Sequence, residues 1–394
     1  MRPLTKLVWQ RRLGDDDRQR RCTAVARGIA FNGSDGVPSA VTDGVHSAVT
    51  DVGPWGGKAV FAMSPLKVGR VITLAVGVLA LLGASLAVGS SAEAATPSWS
   101  IASSPSPGTQ STLYSVSCVS ATSCKAVGYY ATTPDFATYQ SLIESWNGTA
   151  WSVDSSPSPV TANALAGVSC VSATSCKAVG GIFAGATLIE SWNGTAWSVD
   201  SSPSPGTNQY LLNSVSCASA TSCKAVGYYT VGVSNLEKTF IESWNGTAWS
   251  ITPSPTPKGP GGGALSSVSC VSATSCKAVG GYDDSNPGEP QKTLIESWNG
   301  TTWLVTSSPN RAVSFDGLNG VSCASATSCK AVGFSSYGPV ILSWNGTAWS
   351  IQAKPPSLDG LYGVSCPRVL SCKAVGEHFV GSVPMTFIES YAWF

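Results

Sequence analysis

Twelve cysteines recur in six similar pairs, and their types and spacing give the clearest chemistry in this sequence. Each pair encloses five residues, most often Val-Ser-Ala-Thr-Ser or Ala-Ser-Ala-Thr-Ser. Small hydroxyl-bearing residues favour a turn, so the two cysteines face each other across a hairpin at a separation that suits a disulfide. The pairs are Cys118 and Cys124, Cys170 and Cys176, Cys217 and Cys223, Cys270 and Cys276, Cys323 and Cys329, and Cys366 and Cys372.

Zinc binding is the alternative chemistry for paired cysteines. Zinc sites usually space their cysteines two to four residues apart and need four ligands that converge. These pairs instead follow one another at intervals of 43 to 53 residues. We therefore predict one disulfide per repeat, with no metal and no cofactor. An even set of paired cysteines is typical of an oxidising compartment, and the odd cysteine, Cys22, lies outside the repeats.

Apart from the cysteines, the sequence offers few residues for catalysis. His378 is the only histidine after residue 96, and no Ser-His-Asp set, phosphate loop or histidine-rich metal cluster is present. A glycosidase needs two carboxylates across a cleft, and Asp283 with Asp135 or Asp316 could supply them, although the spacing singles out none. From Thr96 onward, 12 Lys and Arg stand against 15 Asp and Glu, which gives no electrostatic signal for nucleic acid.

Charged residues also recur at two fixed positions of the repeat. Because a catalytic group is needed only once, we interpret both positions as structural and predict a cross-strand Lys and Glu pair in each repeat. The two sets are Lys125, Lys177, Lys224, Lys277, Lys330 and Lys373, and Glu144, Glu190, Glu242, Glu296 and Glu389, with Leu342 as the exception.

A second phrase, Glu-Ser-Trp-Asn-Gly-Thr-Ala-Trp-Ser-Val, follows each cysteine pair except the last, with small variations. Asn-Gly between two strand-like runs is a strong hairpin signal. It predicts a two-residue turn at Asn147 and Gly148, with Trp146 opposite Thr149 and Glu144 opposite Trp151. We interpret the two tryptophans of each repeat as packing residues rather than ligand contacts.

The two phrases supply four short strands per repeat, and these strands must position every residue named above. Six such repeats predict an all-β fold: a six-bladed β-propeller of four-stranded blades with one disulfide per blade. The last repeat ends without a fourth strand, whereas Pro97 to Ile101 looks like a fourth strand that stands alone. We expect this N-terminal strand to close the last blade, which would remove an exposed sheet edge.

The repeats differ mainly in the connections between the second and third strands and in the links between blades. Repeat proteins place such variation on their binding face, and aromatic side chains there could stack on sugars or anchor a protein. The alternative is that these aromatic residues only pack the loops. The candidate ligand-binding residues are Tyr129, Tyr130, Phe136, Tyr139, Tyr228, Tyr229, Tyr282, Asp283, Asp284, Tyr337 and Phe379.

The N-terminal region differs in composition from the repeats. Residues 1–62 show no helical or strand periodicity, and we expect them to be disordered or a start-site artefact. Residues 63–95 have the form of a signal peptide, with a basic start, an apolar run at 71–88 and a small-residue cleavage site at Ala92 to Ala94. The alternative is an uncleaved signal anchor through 71–88. The propeller then occupies residues 96–394.

The repeats from Trp99 to Phe394 resemble the secreted bacterial β-propeller repeats that carry Ser-Cys, Cys-x-Ala-Val-Gly and Trp-Asn-Gly-Thr-x-Trp, broadly similar to kelch and galactose-oxidase-type propellers. They lack the paired glycines of kelch, and Ser145 to Trp151 is one residue shorter than a sialidase Asp-box, with Asn for Asp. The resemblance implies fold and export and carries over no catalytic residue.

These observations lead to a functional expectation. We expect a secreted or cell-surface monomer, without membrane contact after signal cleavage, that acts as a non-catalytic binding module for extracellular polysaccharide or protein. The alternatives are a glycosidase or polysaccharide lyase on the same scaffold, and a structural cell-surface protein.

Overall fold

The structure is a computed structural model that describes residues 102–133, 138–157, 162–182, 185–203, 209–232, 236–255, 262–283, 291–311, 314–352, 360–380 and 383–392. The predicted closing strand at Pro97 to Ile101, the signal peptide and residues 1–62 lie outside these ranges. Within them no helix is long and apolar enough to cross a membrane, and the apolar run 71–88 lies outside them.

The described chain forms 23 strands in six antiparallel sheets, and each sheet is made of strands consecutive in sequence. Blade 1 contains β1 (Gln110–Ser120), β2 (Ser123–Ala131), β3 (Tyr139–Trp146) and β4 (Trp151–Asp154). Blade 2 contains β5 (Asn163–Ser172), β6 (Ser175–Ile182), β7 (Thr187–Trp192) and β8 (Trp197–Val199). Blade 3 contains β9 (Tyr210–Ser219), β10 (Ser222–Val231), β11 (Leu236–Trp244) and β12 (Trp249–Ile251).

The remaining blades repeat this pattern. Blade 4 contains β13 (Gly263–Ser272), β14 (Ser275–Tyr282), β15 (Lys292–Trp298) and β16 (Trp303–Val305). Blade 5 contains β17 (Asp316–Ser325), β18 (Ser328–Ser335), β19 (Gly338–Trp344) and β20 (Trp349–Ile351). Blade 6 has three described strands, β21 (Gly360–Arg368), β22 (Ser371–Val380) and β23 (Val383–Ala392). The all-β architecture of six blades is confirmed.

The cysteine hairpin joins the first two strands of every blade, as predicted. Cys118 is paired with Cys124 across β1 and β2, and their Cα atoms are 4.0 Å apart and bridged by a disulfide. The same bridge forms in all six blades. The glycine that ends Cys-Lys-Ala-Val-Gly is also needed, because a Cβ atom on Gly128 would lie 1.8 Å from the carbonyl oxygen of Thr112 on β1.

The Asn-Gly hairpin differs from the prediction in its register. Trp146 is paired with Trp151, not with Thr149, and Glu144 is paired with Val153, so the turn contains four residues rather than two. Asn147 Oδ1 accepts hydrogen bonds from the backbone N–H groups of Thr149 and Ala150, both at 2.9 Å. The side chain of the asparagine therefore closes a wider turn, in which Gly148 takes a positive φ of 98°.

The two constant hairpins lie at the same end of each blade. In blade 1, the indole Nε1 of Trp146 donates to the backbone carbonyl oxygen of Ala121 in the cysteine hairpin at 3.0 Å. The corresponding bond recurs in blades 2 to 5. We call this end of the blades the constant face, and the end with the second-to-third strand connections and the inter-blade links the variable face.

The apolar core lies between neighbouring blades. Val127 and Ile143, from the second and third strands of blade 1, pack in one cluster with Leu165 and Val168 from the first strand of blade 2. Equivalent clusters form at the later junctions. Each blade therefore covers the sheet face of the blade before it.

A polar contact at the same junctions involves the repeated lysine. Lys125 Nζ binds Asp154 Oδ2 at 2.7 Å within blade 1 and lies 3.6 Å from the ring centroid of Trp192 in blade 2. Trp197 Nε1 of blade 2 donates to the same Asp154 oxygen at 3.0 Å. The predicted Lys and Glu pair is wrong, because Lys125 is paired with Ser145 whereas Glu144 is paired with Ala126, so the two side chains point to opposite sides of the sheet.

The aspartate of this contact is replaced in later blades. Asp200 repeats the arrangement with Lys177 and Trp249 at the junction of blades 2 and 3. Thr252 and Thr306 occupy the position in blades 3 and 4, and Trp303 Nε1 and Trp349 Nε1 of the following blades are then buried without a described hydrogen-bond partner. Burial without an acidic partner lowers the pKa of Lys224 to about 8.

In the described part of the chain, the outer sides of the first and sixth blades lack the cover that the other blades have. Val116 of blade 1 is 60% exposed, whereas its equivalent Val168 is 6% exposed. Val375 of blade 6 is 45% exposed, whereas its equivalent Val127 is fully buried. Among the described strands, no packing like that between consecutive blades joins β21 to β1.

The threonine junctions lead to a stability prediction. Thr252→Asp should stabilise the fold by about 1 to 3 kcal/mol, because the new carboxylate would accept from Trp303 Nε1 and pair with Lys224. Thermal and denaturant unfolding would measure the change. Asp200→Thr is the matched reverse variant and should destabilise by a similar amount, and a stable Asp200→Thr protein would contradict the importance of this contact.

The exposed faces of blades 1 and 6 lead to a second prediction. Large apolar surfaces are seldom left exposed, and we expect these two faces to pack against each other in solution as consecutive blades do. Val116→Asp should then lower the unfolding temperature about as much as Val168→Asp. A harmless Val116→Asp variant would show that blade 1 stays uncovered. A dimer that this variant abolishes in sedimentation experiments would assign the face to a second copy instead.

Candidate functional site

The variable face carries the aromatic side chains that the sequence singles out, and most of those in blade 1 pack against one another. The ring of Tyr129 lies between Tyr114 and Tyr139, with centroids 5.7 and 5.8 Å apart. Burial raises the pKa of Tyr139 to about 12, with a smaller contribution from Tyr129. Tyr130 donates its hydroxyl to Gln140 at 2.6 Å. These residues therefore support the loop more than they offer a free surface.

Blade 3 shows similar packing beside a small cavity. Tyr229 stacks on Tyr210 with centroids 5.4 Å apart. Tyr228 is buried, and desolvation raises the pKa of its hydroxyl. A cavity of about 110 Å³ opens between blades 2 and 3, lined by Tyr210 and Tyr228 together with Gln209 and Ile182. Its lining combines apolar rings with an amide.

The acidic candidate lies at the junction of blades 3 and 4. Asp283 is half-buried, and its backbone N–H donates to the carbonyl oxygen of Gly262 at 2.8 Å. Desolvation, with a smaller contribution from the charge of Asp283, raises the pKa of Glu237 on β11 to about 7. Tyr282 packs on the core of blade 4. The sequence does not indicate Glu237 as a candidate, because only the fold brings it close to Asp283.

The side chains of three candidate residues lie outside the described part of the structure. Phe136 and Asp284 lie outside the described residues. Phe379 lies in β22, where its backbone is paired with Pro384. The proposed carboxylate Asp135 also lies outside the described residues.

Among the described residues, the most exposed aromatic side chains of the variable face lie at the tip of blade 5. Tyr337 is 54% exposed in the hairpin between β18 and β19. Phe315, which the sequence analysis missed, is 52% exposed just before β17, and its backbone N–H donates to Ser336 Oγ at 3.1 Å. Phe315 is the only aromatic residue at its position in the repeats. This difference from the other repeats could have indicated Phe315 as a candidate binding residue.

Two polar residues complete this tip. Arg311 Nη1 donates to Ser335 Oγ at 3.0 Å. Asp316 is almost fully buried, and its two oxygens accept from Ser314 Oγ at 2.7 Å and from the Arg311 backbone N–H at 2.8 Å. Asp316 therefore holds the loop, which leaves it poorly placed to act as one carboxylate of a glycosidase pair. No group of three or more His, Cys, Asp or Glu residues in the described ranges could hold a metal ion.

The repeated glutamates of blades 2, 3 and 4 lie within the junctions, where they bind the links between blades. Glu144 lies on the same side of blade 1 as Val116 and binds the segment before that blade. Ser104 Oγ donates to Glu144, and Ser156, Ser202 and Ser254 donate in the same way to the glutamates of blades 2, 3 and 4. Desolvation, partly offset by these serine bonds, raises the pKa of Glu190 and Glu242 to about 7 and that of Glu296 to about 8. A raised pKa at several equivalent buried positions reflects burial and does not mark a catalytic acid.

Comparison with known proteins gives matches among solved structures alone. No family model matches the chain, and no curated protein matches it. The SapL1 lectin in complex with alpha methyl fucoside is 11% identical, with a TM-score of 0.45, over 71% of this chain and 95% of that one. The Aleuria aurantia lectin, a fungal six-bladed β-propeller with a fucose recognition mode, is 10% identical, with a TM-score of 0.42, over 71% and 96%. The Hadza microbial sialidase Hz136 is 10% identical, with a TM-score of 0.43, over 71% and 65%.

The buried glutamates predict a pH dependence of stability. Their pKa in the folded chain lies above the unfolded value of 4.5, so the stability linked to the neutral carboxyl is complete below pH 4.5 and is lost as pH rises to about 8. The free energy of unfolding should therefore decrease between pH 5 and pH 8.

Blade 5 supplies the control for this prediction, because it has Leu342 at the glutamate position. Glu242→Leu should flatten the decrease, whereas Leu342→Glu should steepen it. Denaturant unfolding at several pH values would measure both slopes. A slope that neither variant changes would assign the pH dependence to other groups.

Proposed function

We propose that this chain is a secreted, non-catalytic binding module whose variable face binds carbohydrate. The observation that carries the proposal is the pair of exposed aromatic side chains at the tip of blade 5, Phe315 and Tyr337. Side chains of this size are normally covered, and exposed aromatic rings on a rigid scaffold commonly serve as contact surfaces.

The surroundings of these rings favour a sugar as the ligand. The flat face of an aromatic ring packs against the apolar face of a pyranose, and the hydroxyl groups of the sugar need polar partners nearby. The hydroxyl groups of Ser335 and Ser336 and the guanidinium group of Arg311 lie at the same tip. A purely apolar protein contact would not require this mixture of groups.

The cavity between blades 2 and 3 supports the same proposal independently. Its tyrosine rings and the Gln209 amide offer both an apolar and a polar contact. The volume of about 110 Å³ suits a small substituent or part of a ring better than a folded protein segment.

The disulfides support export. A disulfide in each of six blades fits an extracellular or secreted protein, because such bonds persist in oxidising environments. The proposed setting is therefore outside the cell or at its surface, where polysaccharides are abundant.

A binding panel tests the proposal. The purified exported chain is passed over immobilised plant, fungal and bacterial polysaccharides, both neutral and acidic, and the supernatant is checked for released sugar. We expect retention without release, and Phe315→Ser combined with Tyr337→Ser should weaken retention about tenfold. The matched control is Leu370→Ser, since Leu370 is an exposed apolar residue on the constant face.

The other outcomes each contradict a part of the proposal. Failure of the folded wild-type chain to bind any polysaccharide would reject carbohydrate as the ligand. Release of sugar would reject the non-catalytic role and direct attention to Glu237 and Asp283. Equal weakening by Leu370→Ser would reject the variable face as the binding surface.

A further inference from the structure

The guanidinium group of Arg311 is a cation without an acidic partner among the described residues. Its Nη1 atom donates to the neutral hydroxyl of Ser335, and the described ion pairs belong to Lys125 and Lys177. The nearby carboxylate of Asp316 is occupied by Ser314 Oγ and by the backbone N–H of Arg311 itself. The remaining guanidinium donors have no described protein acceptor.

This cation does not belong to a generally basic surface. Arg311 and Arg368 are the only arginines after residue 96, and the chain from Thr96 carries 12 basic against 15 acidic residues. Arg368 lies in the cysteine hairpin of blade 6, on the constant face. An anion attracted to the variable face near blade 5 would therefore respond to a local charge, because the net charge of the domain repels it.

Two serines connect the cation to the exposed rings. Ser335 Oγ accepts from Arg311 and also from the backbone N–H of Tyr337 at 3.1 Å. The next residue, Ser336, binds the backbone of Phe315 in both directions, through its Oγ and through its own N–H. The guanidinium group and the two rings are thus held by adjacent residues of one hairpin tip.

We propose that the tip of blade 5 binds a sugar residue that carries a carboxylate, such as a uronic acid. The planar fork of Arg311 matches the two oxygens of a carboxylate, while Phe315 and Tyr337 contact the pyranose ring. This inference rests on the proposed function, because it assigns a class of sugar to the same face. It adds a requirement that the proposed function lacks, namely that the ligand is anionic.

Matched uronic acid oligomers test the requirement. Titration calorimetry compares an oligogalacturonate with its fully methyl-esterified form, which has the same length and sugar but no charge. We expect the wild-type chain to bind the acid at least about tenfold more tightly than the ester. Arg311→Gln should remove most of this difference, and Arg311→Lys should keep part of it, since it keeps the charge and loses the fork.

Arg368→Gln is the matched control, because it removes the same charge from the constant face and should leave the difference intact. Circular dichroism and thermal unfolding confirm that each variant is folded. Equal binding of acid and ester by the wild type would overturn the inference, as would an equal loss in Arg368→Gln. Binding of neutral polysaccharides without binding of the acid would overturn the inference while the proposed function stands, whereas failure to bind any polysaccharide would reject both.

Discussion

Burial of one blade face by the first strand of the next blade is the interaction on which the rest of this structure depends. A four-stranded sheet of this size has an apolar side that it cannot cover alone. At the first junction, Val127 and Ile143 become fully buried only because Leu165 and Val168 of blade 2 lie over them. Blades 1 and 6 show the converse, since Val116 and its neighbours remain exposed where no such cover is described.

The polar contacts of the junctions follow from this packing. Lys125 lies in a junction, where its buried charge needs a partner. Its ammonium group contacts both Asp154 in its own blade and the Trp192 ring of the next blade. Where Thr252 replaces the aspartate, the fold persists with an unsatisfied indole at Trp303. The apolar contact therefore maintains the junction, and the ion pair adds stability to it without being essential.

The sequence predicted those features that depend on local spacing. The cysteine pairs, the four strands of blades 1 to 5 and the positions of the two constant hairpins all follow from short motifs, and the structure confirms them. The register of the second hairpin could not be predicted, because Asn147 closes the turn with its side chain and not with a left-handed backbone. The partner of Lys125 was missed partly for a related reason, since the corrected hairpin register places Asp154 near it. The separate pairing of β2 with β3 sets Glu144 on the other side of the sheet.

From the sequence, the candidate site could be assigned to a face but not to a set of residues. The variable connections between strands indicate which end of the blades is the candidate face. Whether an aromatic ring at that end is covered depends on its neighbours in space, which the sequence does not show. Tyr129 is covered by Tyr114 and Tyr139, which lie on other strands. Phe315 and Tyr337 are instead 52% and 54% exposed at the tip of blade 5.

The contrast between the two faces is the reason that we propose the variable face, and not the constant one, for binding. On the constant face, each Asn-Gly turn closes on its own asparagine and each outer tryptophan donates to the adjacent hairpin, so the same hydrogen bonds recur in blades 1 to 5. A surface whose polar groups are already paired with one another offers little to a ligand. On the variable face every junction has different side chains, and each can therefore acquire its own ligand contact without disturbing the repeated contacts that hold the blades together.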